Sequence, residues 1–151
     1  MGLAAVFANR ALIAALIAWG LAQVAKLPIE YALSHRWNWV LLLRAGGMPS
    51  SHSALVTAVA HAVGLTAGFD SPAFAVAVVV AMVVIYDATG IRRQAGLHAE
   101  IINAMVRNLV EGHPLRQEEL REVLGHSPLE AVVGALLGIV VAQLLFWLFP
   151  T

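Results

Sequence analysis

Four apolar runs alternate with polar punctuation along this 151-residue chain. The first extends from Leu3 or Arg10 to Ala25 and ends at Lys26-Leu27-Pro28. The second covers His52 to Phe69, where Gly68-Phe69-Asp70-Ser71-Pro72 signals a tight turn, and the third covers Ala73 to Tyr86, closed by Asp87. The fourth runs from Leu129 to Phe149, with only Glu130 and Gln143 clearly polar. A helix needs roughly 20 residues to cross a ~30 Å hydrocarbon core. The second and third runs are therefore short spans with ends near the headgroup level. Between the third and fourth lies the longest polar segment. Within Arg92–Glu111, Leu97, Ile101, Met105 and Leu109 recur at steps of four, opposite Glu100, Asn103, Arg107 and Glu111. That pattern predicts an amphipathic helix, stopped by Gly112 and Pro114 and followed by a short charged helix over about 115–124. The expected fold is all-α: an integral membrane bundle of about four transmembrane helices plus an amphipathic interfacial helix, in one domain over 1–151.

Alternation of direction then places the polar clusters. The end of span one, the start of span two, the end of span three and the start of span four all fall on one membrane face. The opposite face holds the termini and the Asp70 turn. Eight of the nine Lys and Arg residues lie on the polar face (Lys26, Arg36, Arg44, Arg92, Arg93, Arg107, Arg116 and Arg121), against Arg10 on the other. The positive-inside tendency makes the polar face cytoplasmic, and the expected location is the cell (inner) membrane. Some of those cations also suit ligand binding, which tempers that vote.

Composition agrees with this picture. The chain is 60% hydrophobic and 12% charged, where a soluble domain carries about 25% charged residues. It contains no cysteine, which excludes disulfides, thiolate nucleophiles and zinc–thiolate sites. Nine basic residues balance nine acidic ones, so no bulk field recruits nucleic acid. At the N-terminus Arg10 follows the first apolar residues and no convincing cleavage site appears, which reads as a retained span.

Three polar clusters could carry chemistry. Gly46-Gly47-Met48-Pro49-Ser50-Ser51-His52 is a turn followed by a helix start, with Ser50 or Ser51 as N-cap. Its unpaired first-turn N–H groups, and glycines that allow close approach, favour an anion such as phosphate. A well-capped span explains the serines equally, but not His52. Gly125-His126-Ser127-Pro128-Leu129-Glu130 repeats the design: Ser127 as N-cap, Pro128 at the first position and Glu130 at the third spell a capping box. That accounts for everything except His126, whose imidazole Glu130 could also orient. Asp87, close to Arg92 and Arg93, is either a functional carboxylate or the counter-ion of snorkelling arginines. Lys26 alone reads as a snorkelling anchor. His61 reads as a neutral, hydrogen-bonded core histidine. Trp37-Asn38-Trp39 has the character of an interfacial aromatic belt. Gly134 and Gly138 form a Gly-x-x-x-Gly for close helix packing, or a homo-oligomer contact.

Two helix N-termini, several cations and two histidines on one face favour a bound dianion over a divalent metal, since each charge-assisted hydrogen bond helps a phosphate. No metal and no other cofactor is expected. Two histidines suggest phosphoryl chemistry, one attacking phosphorus and the other protonating the leaving oxygen.

These motifs resemble the type 2 phosphatidic acid phosphatase and vanadium haloperoxidase superfamily. Pro49-Ser50-Ser51-His52 looks like its Pro-Ser-Gly-His motif, and His126-x-x-x-Glu130 like its third motif. The ordered set GGMPSSHSA, YDATGIRRQAG and LGHSPLE is similar to the small divergent branch of that superfamily. The resemblance implies His126 as a nucleophile forming a phosphohistidine, Glu130 orienting it where the superfamily usually has aspartate, and His52 as general acid. It implies phosphate contacts from Ser50 and the Ser51 backbone, beside the turn at Gly47, and Lys26 as the first-motif lysine. Three features depart from the pattern. Ser51 replaces glycine, Lys26 lacks the neighbouring Arg-Pro, and Arg121 precedes His126 by five residues instead of six. Arg92 or Arg93 then becomes the favoured phosphate clamp, with Arg121 a weaker candidate and Asp87 in support. The expected activity is a metal-independent phosphatase acting on a lipid-linked phosphate or pyrophosphate in the bilayer. The rivals are a non-catalytic lipid-phosphate binder or transporter, and a metal or ion transporter using His52, Asp87 and His126.

Overall fold

The structure, a computed structural model, describes residues 2, 4–35, 37, 39–42, 47–90, 98, 101–103, 105, 106 and 127–150. Among these, all regular structure is helical. A short α1 (Ala4–Phe7) precedes α2 (Arg10–Ser34), a 3-10 turn (Trp39–Leu42), α3 (Ser51–Ala67), α4 (Pro72–Thr89) and α5 (Pro128–Leu148). The four long helices open on side-chain caps: Asn9, Ser50, Ser71 and Ser127 each accept from a backbone N–H three residues on. Proline in the first turn of α4 and of α5 adds a pre-set backbone where no helical donor is needed.

Helices α2, α4 and α5 are long and apolar enough to cross a membrane. At 17 residues, α3 falls short of that measure, covering about 25 Å at 1.5 Å per residue. Three helices thus qualify where four spans are expected. The short helix nevertheless sits at the centre, packed against α2, α4 and α5.

Two boundaries differ from the sequence expectation. Helix α2 does not end at Lys26-Leu27-Pro28 but continues through Pro28 to Ser34. Proline withholds one N–H from the ladder, a loss that neighbouring helices compensate in a membrane bundle far better than water-exposed helices can. Helix α4 likewise runs past Tyr86 to Thr89, so Asp87 lies inside its last turn instead of ending it. The helix stops where the Gly90 N–H closes on the Tyr86 carbonyl at 2.8 Å.

The core is built from alanine. Ala14, Ala18 and Ala22 on α2 meet Ala54, Ala58 and Ala62 on α3, with Val141 and Ala142 of α5 beside them. Both alanine rows step by four, the spacing of one helix face. The bulky residues instead point outward: Leu16, Trp19, Val24, Met82, Val83, Leu136 and Trp147 are all exposed. A water-soluble bundle sorts large apolar side chains inward; a bundle in lipid has no reason to, and uses small residues to bring backbones together.

The amphipathic helix predicted over Arg92–Glu111 lies largely outside the described residues. Those described are helical. Here Asn103 of the polar stripe is buried, at 4% exposure, while Ile101 and Met105 of the apolar stripe are exposed.

Candidate functional site

The segment Gly47–Ser53 forms a tight local structure at the start of α3. Gly47 has φ +82°, a left-handed backbone that glycine adopts freely, and a cis Met48–Pro49 peptide bond follows it. Ser50 then caps α3. Its hydroxyl accepts from the Ser53 N–H at 3.3 Å and lies 3.1 Å from the Ser53 hydroxyl. Ser50, Ser51 and Ser53 are all buried, Ser50 completely. His52, in the first turn, is half-buried.

Helix α5 begins with the capping box that its sequence spells. Ser127 Oγ accepts from the Glu130 N–H, and Glu130 Oε2 accepts from the Ser127 N–H, each at 3.3 Å. Glu130 also joins the two helix starts, because its backbone carbonyl accepts the Ser50 N–H at 3.0 Å. Glycines make this approach possible. A methyl group added at Gly134 would collide with the Ser50 carbonyl, and one at Gly138 with the Ala54 carbonyl and the Thr57 hydroxyl. The Gly-x-x-x-Gly of α5 is therefore used for packing against α3 within the chain. Thr57 adds a hydrogen bond across the same seam, donating to the Ala135 carbonyl at 3.0 Å.

Lys26 completes the cluster from α2. It is 1% exposed and lies in the field of the Glu130 carboxylate. The turn at Gly47 passes its stem: a methyl group at that glycine would stand 3.9 Å from Lys26 Cδ. Lys26 is thus no snorkelling anchor at a helix end. Because α2 continues past it, the ammonium is held inside the bundle, where a cation needs a counter-charge and acceptors. Three helices, α2, α3 and α5, so bring Lys26, Gly47, Ser50 and Glu130 together at one end, with His52 in the first turn of α3.

The remaining candidates divide in two. His126, Arg92, Arg93 and Arg121 lie outside the described residues. Asp87 is described and exposed. It stands roughly 200° round the helix from Ile85 and from Thr89, at about 100° per residue, and those two turn toward α5. Among the described residues, no group of three His, Asp or Glu side chains is placed to hold a metal. Away from this end, His61 Nε2 and Gln143 Oε1 are 2.9 Å apart, a hydrogen bond from α3 to α5. The aromatic belt is a stack: Tyr31 on Trp37 at 5.0 Å, and Trp37 on Trp39 at 5.8 Å.

Sequence reasoning missed Asn103 as an inward-facing residue. Its polar stripe was legible, and the burial of Asn103 would have followed from placing the apolar stripe against lipid.

The family model described as "Divergent PAP2 family" matches residues 7–141. An uncharacterized membrane protein of Bacillus subtilis (strain 168), YuiD, is 41% identical over 152 residues, covering 93% of this chain and 96% of its own length. No solved structure matches the chain.

Proposed function

The chain belongs to the Divergent PAP2 family, and from that premise we propose that it is a membrane phosphatase hydrolysing a lipid-linked phosphate or pyrophosphate through a phosphohistidine. The observation that carries the reading is the meeting of buried Lys26 and Glu130 with the first turns of α3 and α5 at one end of the bundle. Helix N-termini and a lysine together favour the equatorial oxygens of a transferring phosphoryl group. In this reading His126 attacks the terminal phosphorus, the bond from phosphorus to the leaving oxygen (the lipid's, or the bridging oxygen of a pyrophosphate) breaks, and His52 gives its proton to that oxygen. Water then attacks the phosphohistidine while His52 takes its proton, and orthophosphate leaves with His126 restored. Arg92 or Arg93, with Arg121, clamps the phosphate, and the polar face is cytoplasmic.

One observation favours a second reading, a lipid-phosphate binder or transporter without turnover. Ser50 is fully buried, its Oγ accepts from the N–H and the hydroxyl of Ser53, and its N–H goes to the Glu130 carbonyl. The serine equivalent to the superfamily's phosphate contact therefore keeps only its O–H proton to donate and is closed off from the outside. Phosphate release from a panel of lipid phosphates, with EDTA present, separates the readings. The phosphatase reading expects turnover in the parent and a fall of about 100-fold or more in both His126→Ala and His52→Ala. Saturable binding of lipid phosphate or vanadate with no release on any lipid supports the binder and sinks the phosphatase.

A further inference from the structure

The described bundle is tight on one side of α5 and open on the other. Helix α4 packs along α3 but meets α5 only sparsely. Between α4 and α5 the upper part of the gap is a cleft of about 300 Å³ lined by Ile85 and Thr89 of α4 and by Pro128, Ala131, Val132 and Ala135 of α5. Below it lies a second cleft of about 260 Å³ whose lining includes Ile85, Val78, Phe74, Met82, His61 and Ile139. Ile85 borders both, so the two are parts of one groove. Its upper end opens at Pro128, two residues before Glu130, and at Thr89 in the last turn of α4. The deep end reaches the His61–Gln143 pair, near Phe69 and Phe74 of the α3–α4 turn region.

We propose that this groove holds the hydrocarbon chain of the lipid whose phosphate sits at the Lys26–Glu130 end, and that the lipid has a single long chain. The inference rests on the lipid-phosphate reading above. Three features argue for that occupant. Among the described residues the walls are almost wholly apolar, Met82, Val132 and Ile139 on them are exposed, and the mouth lies at the level of the first turn of α5. Length argues for the kind of chain. From Thr89 to Phe74 the α4 wall covers about 22 Å at 1.5 Å per residue, whereas one leaflet contributes about half of a ~30 Å core. A chain following the wall from the mouth passes the bilayer midplane, which an ordinary paired acyl tail does not. The upper cleft lies between α4 and α5, and the lower one is backed by Thr57, Ala60 and His61 of α3.

The test uses the full-length protein in mild detergent and a single-chain alkyl phosphate carrying a photoactivatable diazirine at the chain terminus. Labelled positions are mapped by peptide mass spectrometry, and competition is run with unlabelled phosphates having one short chain, one long chain or two chains. The expected result is label concentrated at Phe74, Val78 and Ile85, displaced best by the long single chain. Ala135→Phe, which fills the groove partway along, should lower that label about tenfold, the worth of one buried apolar side chain. Label spread evenly over outward residues such as Leu16 and Val24, or left unchanged by Ala135→Phe, overturns the proposal. Circular dichroism and elution profile establish that Ala135→Phe is folded before its label is read. The two readings fail separately. Groove labelling without phosphate release on any lipid removes the phosphatase and keeps the groove; phosphate release with label only on outer surfaces does the reverse.

Discussion

Toward α3, helix α5 presents Gly134 and Gly138 and is met closely enough that neither position has room for a methyl group. Toward α4 it presents Ala135 and Ile139 to an open groove. The two faces belong to one helix and differ by one residue in register, yet they do opposite work. The α3 seam is bound by backbone approach and by the Ser50–Glu130 and Thr57–Ala135 hydrogen bonds. It holds the two helix starts at a set distance, as a site for a small anion requires. Among the described residues the α4 side has few such ties and leaves an open groove. Rigidity where charge is handled, and access where a chain would enter, come from the choice of glycine or alanine at neighbouring positions.

The strongest way to break this contrast is to put the same side chain on both faces. Gly134→Leu drives a branched side chain into the Ser50 carbonyl, and its expected cost is about 3 kcal/mol or more, since overpacking against backbone finds little relief. Ala135→Leu, one residue along, should fall within about 0.5 kcal/mol of the parent. Thermal unfolding in one detergent, read by loss of helical signal, compares them; equal losses would mean that the α4 side is as closed as the α3 seam.

A smaller effect separates the two caps. Ser50→Ala removes a fully buried cap and Ser127→Ala an exposed one, so about 2 and about 0.5 kcal/mol are expected, the two ends of the usual range for a lost cap. The reverse order in the same unfolding assay would show that the seam does not depend on Ser50. Smallest is Gln143→Leu, which removes the exposed partner of His61. Interhelical hydrogen bonds within membranes average about 0.6 kcal/mol, and a loss above about 2 kcal/mol would move His61–Gln143 from a minor tie to a principal one.

Much of the fold is legible in the chain because it depends on local chemistry. Ser127-Pro128-Leu129-Glu130 is a capping box in sequence and in structure, and the Asp70 turn divides α3 from α4 where its residues say. What escaped depends on neighbours. Pro28 reads as a stop because proline ends helices in water; here the helix continues through an exposed Pro28, and Lys26 changes from an end anchor to a buried cation. Gly134 and Gly138 announce a close contact but cannot name its partner, since the spacing serves an intrachain seam and an oligomer equally. Ser50–Glu130 joins residues eighty positions apart, and no local pattern encodes that bond.

The alanine core has a thermodynamic consequence. When such helices separate in a bilayer, they trade contact with each other for contact with lipid tails, and little apolar surface reaches water. Since heat-capacity change arises from hydrating apolar area, separation of α2, α3 and α5 should carry a small one. Cooling then offers little leverage on this bundle. A short-chain detergent thin enough to enter between rows of methyl groups offers much more.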